Sequence, residues 1–315
     1  MKYLFGPVPS RRFGRSLGVD LTPYKTCCFD CVFCQLGRTT RKTVERREYV
    51  PTKEVLSELD RWLAGGGRAD VITLSGSGEP TLHSEFGEVL DFIRTHTAIA
   101  SVVLTNGALL HLPEVRAAAS LADMVKTSLS AWDQHSFEWV NRPHEQLRFE
   151  QVLEGQKIFR TEFSGKLYLE VFAVGGMNAM ASSMGKIADL AEEISPDRIQ
   201  LNTAVRPPAE DFVEAVSPER LAALCPLFRP PAEVIAEFDE KIDAKIQLNT
   251  EALLSMLRRR PCTSEQIAKG FGMHVNEVSK YLGSLLRTGR IQAIRKNGSV
   301  YYAIADKTSA TRASA

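Results

Sequence analysis

Three cysteines near the amino terminus have the residue type and the spacing of a metal site. They follow the pattern Cys27-x-x-x-Cys31-x-x-Cys34, which puts three thiols on one short loop. Thiolates suit zinc and iron–sulfur clusters. A structural zinc ion needs four ligands, and no second pair of Cys or His follows at the expected spacing. Three cysteines on a four-iron cluster would leave one iron open, and Cys28, which lies outside the spacing, is predicted not to be a ligand.

With Phe33 before the third cysteine, the loop resembles the C-x-x-x-C-x-aromatic-C hallmark of the radical S-adenosylmethionine (radical SAM) superfamily. The resemblance implies that Cys27, Cys31 and Cys34 hold a 4Fe–4S cluster and that Phe33 contacts the bound cofactors. It also implies reductive cleavage of S-adenosylmethionine (SAM) to a 5′-deoxyadenosyl radical, which takes a hydrogen atom from a substrate. The electron would come from a low-potential donor of the flavodoxin or ferredoxin type. Because the cofactors carry this chemistry, we assign no acid–base catalytic residue.

A glycine-rich turn follows the second predicted strand, in the sequence Leu74-Ser75-Gly76-Ser77-Gly78-Glu79-Pro80-Thr81. It resembles the Gly-Gly-Glu motif of the same superfamily. Ser77, Gly78 and Glu79 occupy the matching positions, with serine in place of the first glycine. The resemblance implies that the strand-end backbone and Glu79 hold the methionine amino group of SAM, since an ammonium group has only donors and needs acceptors.

Polar residues at the ends of later predicted strands give weaker support. Barrel enzymes keep their sites at the carboxyl ends of their strands, and the resemblance implies that these residues contact the carboxylate, ribose and adenine of SAM. Each of them is equally well explained as a turn or cap residue. The segment Asn141-Arg142-Pro143-His144 is either a surface turn or a substrate loop. The predicted cofactor contacts at strand ends are Asn106, Lys126, Ser128, Asn178 and Asn202.

The opening segment narrows the match. Gly6-Pro7-Val8-Pro9-Ser10-Arg11-Arg12, followed by Gly14-Arg15-Ser16-Leu17-Gly18, resembles a radical SAM subfamily grouped loosely with wyosine-type tRNA-modifying enzymes. Wyosine synthases also need a second cluster, held by cysteines upstream of the triplet. The chain has no cysteine before Cys27, which argues against that particular activity. Cys225 and Cys262 are predicted to be buried thiols.

The elements that must position these residues alternate between β-rich runs and amphipathic stretches. This alternation predicts an α/β fold with a parallel sheet and right-handed crossovers. Six βα units leave two candidates, a doubly wound sheet and an open (β/α)6 partial TIM barrel, since a closed barrel takes about 250 residues. Polar residues alternate along strand faces, as Lys126 and Glu170 do, which predicts a polar lumen and favours the open barrel. The predicted strands are 16–21, 70–75, 100–105, 124–130, 166–174 and 198–203, and the predicted helices are 52–64, 84–95, 149–163 and 183–194.

A different pattern begins near residue 250. Three predicted helices, 250–259, 265–269 and 275–287, precede two β-rich runs joined by Asn297-Gly298, a strong hairpin signal. This order predicts a C-terminal winged helix-turn-helix. The predicted domains are a radical SAM partial barrel over residues 1–229, a helical connector over 230–249, the winged helix over 250–305 and a flexible tail over 306–315.

The composition is that of a folded protein. Of the 315 residues 44% are hydrophobic and 24% charged, which excludes a largely disordered chain. With no membrane span and no secretory signal in the sequence, we predict a cytoplasmic protein without a membrane partner. The net charge of +1 hides two basic ends, because residues 1–50 hold ten basic and four acidic side chains and residues 251–315 hold eleven and four. Basic ends indicate a polyanionic partner or a merely uneven surface.

Two hypotheses about function follow. The first is a radical SAM enzyme of oxidoreductase or transferase type, acting on an unidentified substrate such as tRNA, rRNA or another nucleic acid. Its winged helix would bind nucleic acid or dock a protein. The alternative is an iron–sulfur-dependent regulator that binds DNA through the winged helix. The Glu79 motif and the polar lumen favour the enzyme, because a sensor needs neither.

Overall fold

The computed structural model describes residues 1–10, 12–235, 250–271, 273–296 and 298–305. The strands in these ranges are β1 (Leu4–Ser10), β2 (Gly14–Val19), β3 (Thr26–Cys27), β4 (Arg41–Lys42), β5 (Val71–Leu74), β6 (Ala100–Leu104), β7 (Met124–Ser128), β8 (Lys166–Ala173), β9 (Arg198–Thr203), β10 (Glu233–Val234), β11 (Ile291–Lys296) and β12 (Ser299–Ile304). Eight of them form one sheet in the order β1-β2-β5-β6-β7-β8-β9-β10. All neighbours in this sheet run parallel except β1, which is antiparallel to β2.

Helices connect the parallel strands and pack their apolar faces against the sheet. In the first helix Val55 and Leu59, one turn apart, are buried in the same core as Ile72 and Leu74 of β5. None of the helices that the structure describes has the length and apolar composition needed to span a membrane. The helices are α1 (Thr52–Ala64), α2 (Phe86–His96), α3 (Pro113–Ala119), α4 (Gln134–Val140), α5 (Phe149–Glu162), α6 (Ala181–Ile194), α7 (Pro218–Leu224), α8 (Thr250–Arg259), α9 (Ser264–Phe271) and α10 (Val275–Arg287).

The α/β fold with a mostly parallel central sheet is confirmed, and its two outermost strands are additions to the prediction. The strand β1 contains Pro7, which cannot donate to a ladder, and it is tolerated because β1 lies at the sheet edge. The strand β10 has only two residues, too few for a periodic signal. It also corrects the predicted connector over 230–249, which begins with this strand rather than with a helix. Residues 236–249 lie outside the described ranges.

The lumen face of the sheet carries the predicted alternation. Along β8, Tyr168, Glu170 and Phe172 are half-buried, whereas the intervening Leu169 and Val171 are fully buried. One face of this strand therefore packs under the helices and the other carries polar and aromatic groups. The sheet ends at β1 on one side and at β10 on the other. This open, mostly parallel arrangement is consistent with a partial barrel.

The C-terminal unit contains α8, α9 and α10 and then the antiparallel pair of β11 and β12. It has a core of its own, with Leu253, Leu257, Phe271 and Leu282 among its buried side chains. The elements come in the predicted order, although the winged-helix assignment and the domain boundaries stay predictions. Gly272, Asn297 of the predicted hairpin turn and the tail from residue 306 lie outside the described ranges. The unit also packs on the barrel, where α8 and α9 contact β1.

Candidate functional site

The three predicted cluster ligands lie on one loop that begins in β3. Backbone hydrogen bonds from Cys34 N to Cys31 O (3.1 Å) and from Gly37 N to Cys34 O (3.0 Å) fold the loop into consecutive turns. Cys27, Cys31 and Cys34 are each partly exposed. Cys28 is 0% exposed and belongs to the barrel core. The loop thus exposes three thiols in part and buries the fourth.

Residues 141–144 brace this loop from a distant part of the chain. Asp30 N donates to Asn141 O (3.1 Å), and His144 N donates to Cys28 O (2.8 Å). The side-chain amide of Asn141 also donates to Cys31 Sγ at 3.4 Å. From the sequence alone, this segment is either a surface turn or a substrate loop. Its contacts give it a third role, support of the cysteine loop.

Burial keeps the three thiols protonated in the absence of a cation. It raises the pKa of Cys27, Cys31 and Cys34, that of Cys31 to about 12, and for Cys27 the nearby Glu79 carboxylate adds to the effect. Amide donors oppose the shift, since a hydrogen bond to sulfur favours the thiolate. At Cys27 this donor is the backbone N–H of Phe29, and at Cys31 it is the side-chain amide of Asn141. Asn106 Nδ2 also lies 3.5 Å from Cys27 Sγ. Binding of a metal centre at this loop would therefore release protons.

The geometry favours a cluster over a single zinc ion. Across the described ranges, no three His, Cys, Asp or Glu side chains converge on a point suited to one metal ion. A four-iron cluster does not need such convergence, because each cysteine binds a different iron atom. Three separate thiols on one loop therefore fit a cluster.

The Ser77-Gly78-Glu79 turn lies against the start of the cysteine loop. Glu79 N donates to Thr26 O (3.0 Å), and Lys25 N donates to Ser77 O (2.6 Å). A Cβ atom on Gly78 would lie only 1.9 Å from Thr26 O, so glycine is required for this approach. The two motifs that the sequence analysis linked are thus in direct backbone contact.

Glu79 is 2% exposed and ties the end of β5 to the end of β6. Its Oε1 accepts hydrogen bonds from Thr81 N (3.1 Å), Thr81 Oγ1 (2.7 Å) and Thr105 Oγ1 (2.6 Å). Its Oε2 accepts one bond from a described residue, that from Asn106 N (2.8 Å). Burial raises the pKa of Glu79 and these donors oppose the rise. With one described donor against three on Oε1, Oε2 keeps capacity for a further donor.

Lys126, Ser128 and Asn202 meet around Glu170 in the lumen. Lys126 Nζ donates to Glu170 Oε2 (2.8 Å) and to Ser128 Oγ (3.4 Å), and Asn202 Nδ2 donates to Glu170 Oε1 (3.0 Å). The Arg12 guanidinium pairs with the same carboxylate. The structure therefore brings three predicted residues together through Glu170 and Arg12, neither of which was predicted as a site residue. The strand alternation pointed to Glu170, whereas Arg12 appeared only within the opening motif.

A cavity of about 270 Å³ joins this polar group to the cysteine loop. Phe33 and Cys34 form its wall at the loop, and Lys126, Glu170 and Asn202 line it on the lumen side. The Phe33 ring stacks on that of Phe172 with the centroids 4.0 Å apart. The cavity thus gives a ligand access to the loop and to the lumen at once.

Of the predicted cofactor contacts, Phe33, Lys126 and Asn202 line this cavity, whereas Ser77, Gly78, Glu79, Asn106, Ser128 and Asn178 do not. Asn178 lies farthest from a ligand role. The side chain is 0% exposed. Its Nδ2 donates to Ser130 O (2.8 Å) and Phe172 O (2.9 Å), and its Oδ1 accepts from Val174 N (2.7 Å). These bonds fix the loop after β8, and they use both donors of the amide. With no exposed surface, Asn178 has a structural role in this conformation, and its contact with SAM stays a prediction.

Comparisons with known proteins identify the superfamily. The family model for the radical SAM superfamily matches residues 21–178, which include the cysteine loop and the Ser77-Gly78-Glu79 turn. A solved radical SAM methyltransferase from Sphaerobacter thermophilus is similar in fold, with a TM-score of 0.53 and 17% sequence identity over 73% of this chain and 68% of that chain.

Relatives extend the match over nearly the whole chain. A UPF0026 protein of Helicobacter pylori (strain 26695) is 33% identical over 305 residues, which cover 95% of this chain and 96% of the relative. A UPF0026 protein of Methanocaldococcus jannaschii is 29% identical, with 96% of each chain covered. A Brachyspira hyodysenteriae protein named GTPase Obg is 32% identical over 96% of this chain, which spans only 45% of that relative's length. The chain therefore belongs to the UPF0026 proteins and to the radical SAM superfamily, whose members bind a 4Fe–4S cluster and S-adenosylmethionine.

Proposed function

We propose that this protein is a radical SAM enzyme whose 4Fe–4S cluster is held by Cys27, Cys31 and Cys34. The observation that carries the proposal is the loop with three partly exposed thiols beside a fully buried Cys28. The amides that donate to two of the sulfurs support it, because hydrogen bonds to sulfur are a common means of tuning such clusters. When bound, the cluster supplies the electron that splits SAM, and hydrogen abstraction from the substrate follows.

SAM binds, in this proposal, in the cavity between the cysteine loop and the lumen. Glu79 Oε2 accepts from the methionine ammonium, close to the backbone of Ser77 and Gly78. Lys126 faces the methionine carboxylate, because its ammonium lies on the cavity wall. Phe33 offers a ring face for the nucleoside. The polar groups of Asn106, Ser128 and Asn202 supply further hydrogen bonds to the carboxylate and the sugar.

The electron comes from a low-potential flavodoxin or ferredoxin type of donor. The protein's residues position the reacting groups and exclude water, and none of them needs to act as an acid or base. The cavity walls are consistent with this division, because Lys126 and Glu170 are paired with each other and both are mostly buried.

The alternative of a DNA-binding regulator has no support among these relatives, and the contacts of the C-terminal unit oppose it. Lys296, at the end of β11, pairs with Asp211 of the barrel at 2.8 Å. Tyr301 Oη donates to Val205 O at 3.4 Å. The hairpin therefore uses part of its surface against the barrel and not for DNA. A nucleic acid or protein partner bound through the remaining surface stays a prediction.

Anaerobic reconstitution followed by iron analysis tests the proposal. We expect about four iron atoms per chain, and 5′-deoxyadenosine formed from SAM when dithionite is the reductant. Cys27→Ala, Cys31→Ala and Cys34→Ala should each lose the cluster, whereas the matched control Cys28→Ala should keep it. Loss of iron from Cys28→Ala together with retention in one of the other three would overturn the ligand assignment. A full complement of iron without SAM cleavage would overturn the proposed activity.

A further inference from the structure

A second cavity of about 200 Å³ adjoins the first, at the junction between the barrel and the C-terminal unit. The two cavities share Arg12, Gln35 and Arg206 as wall residues. The loop between β1 and β2, the strands β5 and β6, and the end of α8 supply the other walls. This second cavity, named here the arginine cavity, therefore opens onto the proposed SAM site from the substrate side of the barrel.

Arginine dominates the polar lining of this cavity. Among the described residues that line it, four are arginines and none is aspartate or glutamate; they are Arg12, Arg206, Arg259 and Arg260. The carboxylate that pairs with Arg12 is shared with Lys126. Arg11, next to Arg12 in the opening motif, lies outside the described ranges. The lining is thus strongly cationic for an enclosed site.

Arg206 is held in the cavity wall with part of its donor capacity unused. The residue is 5% exposed, and its Nη1 donates to Gln35 Oε1 at 3.2 Å. Its Nε has no acceptor among the described residues. Burial, together with the positive charge of Arg260, lowers the pKa of Arg206 to about 10. A buried donor without a partner costs stability, so its retention needs an explanation.

Arg259 lines the cavity from the C-terminal side, where its Nη1 donates to Ser255 O (3.2 Å) and Ser255 Oγ (3.3 Å) and its guanidinium pairs with Asp20. Its guanidinium lies 3.5 Å from the centroid of the Phe5 ring, and the nearest Asp20 oxygen is 3.7 Å away. The Nε of Arg259 also lacks an acceptor within the described part of the chain. Burial lowers the pKa of Arg259 to about 10. Two guanidinium groups from different parts of the chain thus reach one cavity with donors unused.

We propose, resting on the proposed function, that the arginine cavity binds the phosphate group of a small phosphorylated substrate. Guanidinium groups match phosphate oxygens with paired donors, and a phosphate monoester brings about two negative charges and three acceptor oxygens. A carboxylate would bring only one negative charge to a cavity lined by several positively charged side chains, and so would balance less of their charge than a phosphate does. The arginine cavity alone, at about 200 Å³, is smaller than the roughly 300–1,000 Å³ usual for a small-molecule pocket, so we assign to it only the phosphate end of the substrate. The C-terminal unit completes this site, since α8 and the residue after it contribute two of the arginines.

A groove gives the substrate a route to the cavity. It has a volume of about 590 Å³ and lies between the cysteine loop and the C-terminal unit. The groove shares Gln35, Arg259 and Arg260 with the arginine cavity. A phosphorylated molecule in this groove meets arginine side chains beside the end of the cysteine loop.

Thermal unfolding with inorganic phosphate and pyrophosphate as probes tests the inference, with chloride at matched ionic strength as the baseline. We expect both probes to raise the melting temperature of the wild-type protein. Arg206→Met should abolish this response, because it removes the whole guanidinium, both the Nε without an acceptor among the described residues and the Nη1 that donates to Gln35. Arg206→Lys keeps the positive charge but loses the planar, paired N–H donors of the guanidinium. Its affinity for the phosphate probes should fall roughly tenfold to hundredfold. Arg287→Met, an exposed arginine of α10 in the same unit, is the matched control and should respond like the wild type.

Several results would overturn the inference. One is a wild-type melting temperature that neither probe moves, and another is an equal response from Arg206→Lys and the wild type. If a short single-stranded oligoribonucleotide stabilised the protein and neither phosphate probe did, the cavity would be assigned to the binding of a polynucleotide. Iron content and SAM cleavage, measured on the same preparations, separate the two proposals. A protein that holds iron and cleaves SAM but ignores phosphate refutes the cavity assignment alone, and the reverse result refutes the proposed function alone.

Discussion

Replacement of Gly78 by alanine tests whether the Ser77-Gly78-Glu79 turn is clamped to the cysteine loop. The new Cβ would lie 1.9 Å from Thr26 O, a contact that side chains essentially never make below 3.0 Å. Both groups belong to the backbone, so neither can rotate away, and the turn must move by more than 1 Å. The move breaks the bonds from Glu79 N to Thr26 O and from Lys25 N to Ser77 O.

The expected cost follows from these two bonds. A buried donor left unsatisfied costs about 1–3 kcal/mol, so Gly78→Ala should lower the free energy of unfolding by about 2–6 kcal/mol. That is a large part of the roughly 5–15 kcal/mol by which domains are stable. Because Thr26 directly precedes Cys27, the variant should also lose most of its iron. Urea unfolding of the apoprotein and iron analysis after anaerobic reconstitution measure the two effects.

The control is Gly185→Ala in the middle of α6. No atom lies within 4 Å of the Cβ that this change adds. Alanine is the better helix former, so the control should gain about 0.5–1 kcal/mol and keep its iron. If Gly78→Ala were as stable as the wild type and held a full cluster, the turn and the loop would not be in the contact described above, and the reasoning would be refuted.

Three further predictions test single side chains around the site. Glu79→Gln should keep its iron yet bind SAM about ten- to a hundredfold more weakly in equilibrium dialysis, since a hydrogen bond to a charged group is lost; an unchanged dissociation constant would leave the carboxylate a purely structural role. Asn141→Ala removes the donor to Cys31 Sγ and should lower the reduction potential of the cluster in a titration followed by electron paramagnetic resonance, and a wild-type potential would contradict this. Burial lowers the pKa of His83 below its ordinary value of 6.5, so the stability that the neutral ring contributes is complete above pH 6.5 and is lost as the pH falls from 6.5 through the lower pKa of the folded state. Urea unfolding of His83→Gln on both sides of pH 6.5 should therefore show a flatter pH dependence than the wild type, and equal slopes would count against the assignment.

Local patterns were enough to predict most of the elements. Helix α1 and strand β9 have the predicted bounds, because amphipathic period and β-branched content are properties of short segments. The cysteine loop was predictable for the same reason, since its meaning lies in the spacing of eight residues. The prediction failed where pairing with another strand determines the local structure. The edge strand β1, with its prolines, is such a case.

Long-range contacts were out of reach of such patterns. The amide of Asn141 reaches Cys31 across 110 residues, and no local signal marks it as a neighbour of the thiols. The bond from Thr105 to Glu79 joins two strand ends in the same way, although the order of parallel strands made their proximity expected. Asn178 shows the converse, since its place after a strand suggested a ligand contact, whereas its amide serves the backbone of its own loop.

The number of basic side chains in the C-terminal unit follows from the sequence, but the number does not show where those side chains lie. Eleven basic against four acidic side chains in residues 251–315 indicated a polyanion on the surface. Arg259, however, turns inward and meets Asp20. Asp20 in turn accepts hydrogen bonds from Ser77 N (3.0 Å) and Ser77 Oγ (2.5 Å). Charge that the sequence assigns to an outer surface is thus part of a buried connection from α8 to the turn beside the cysteine loop.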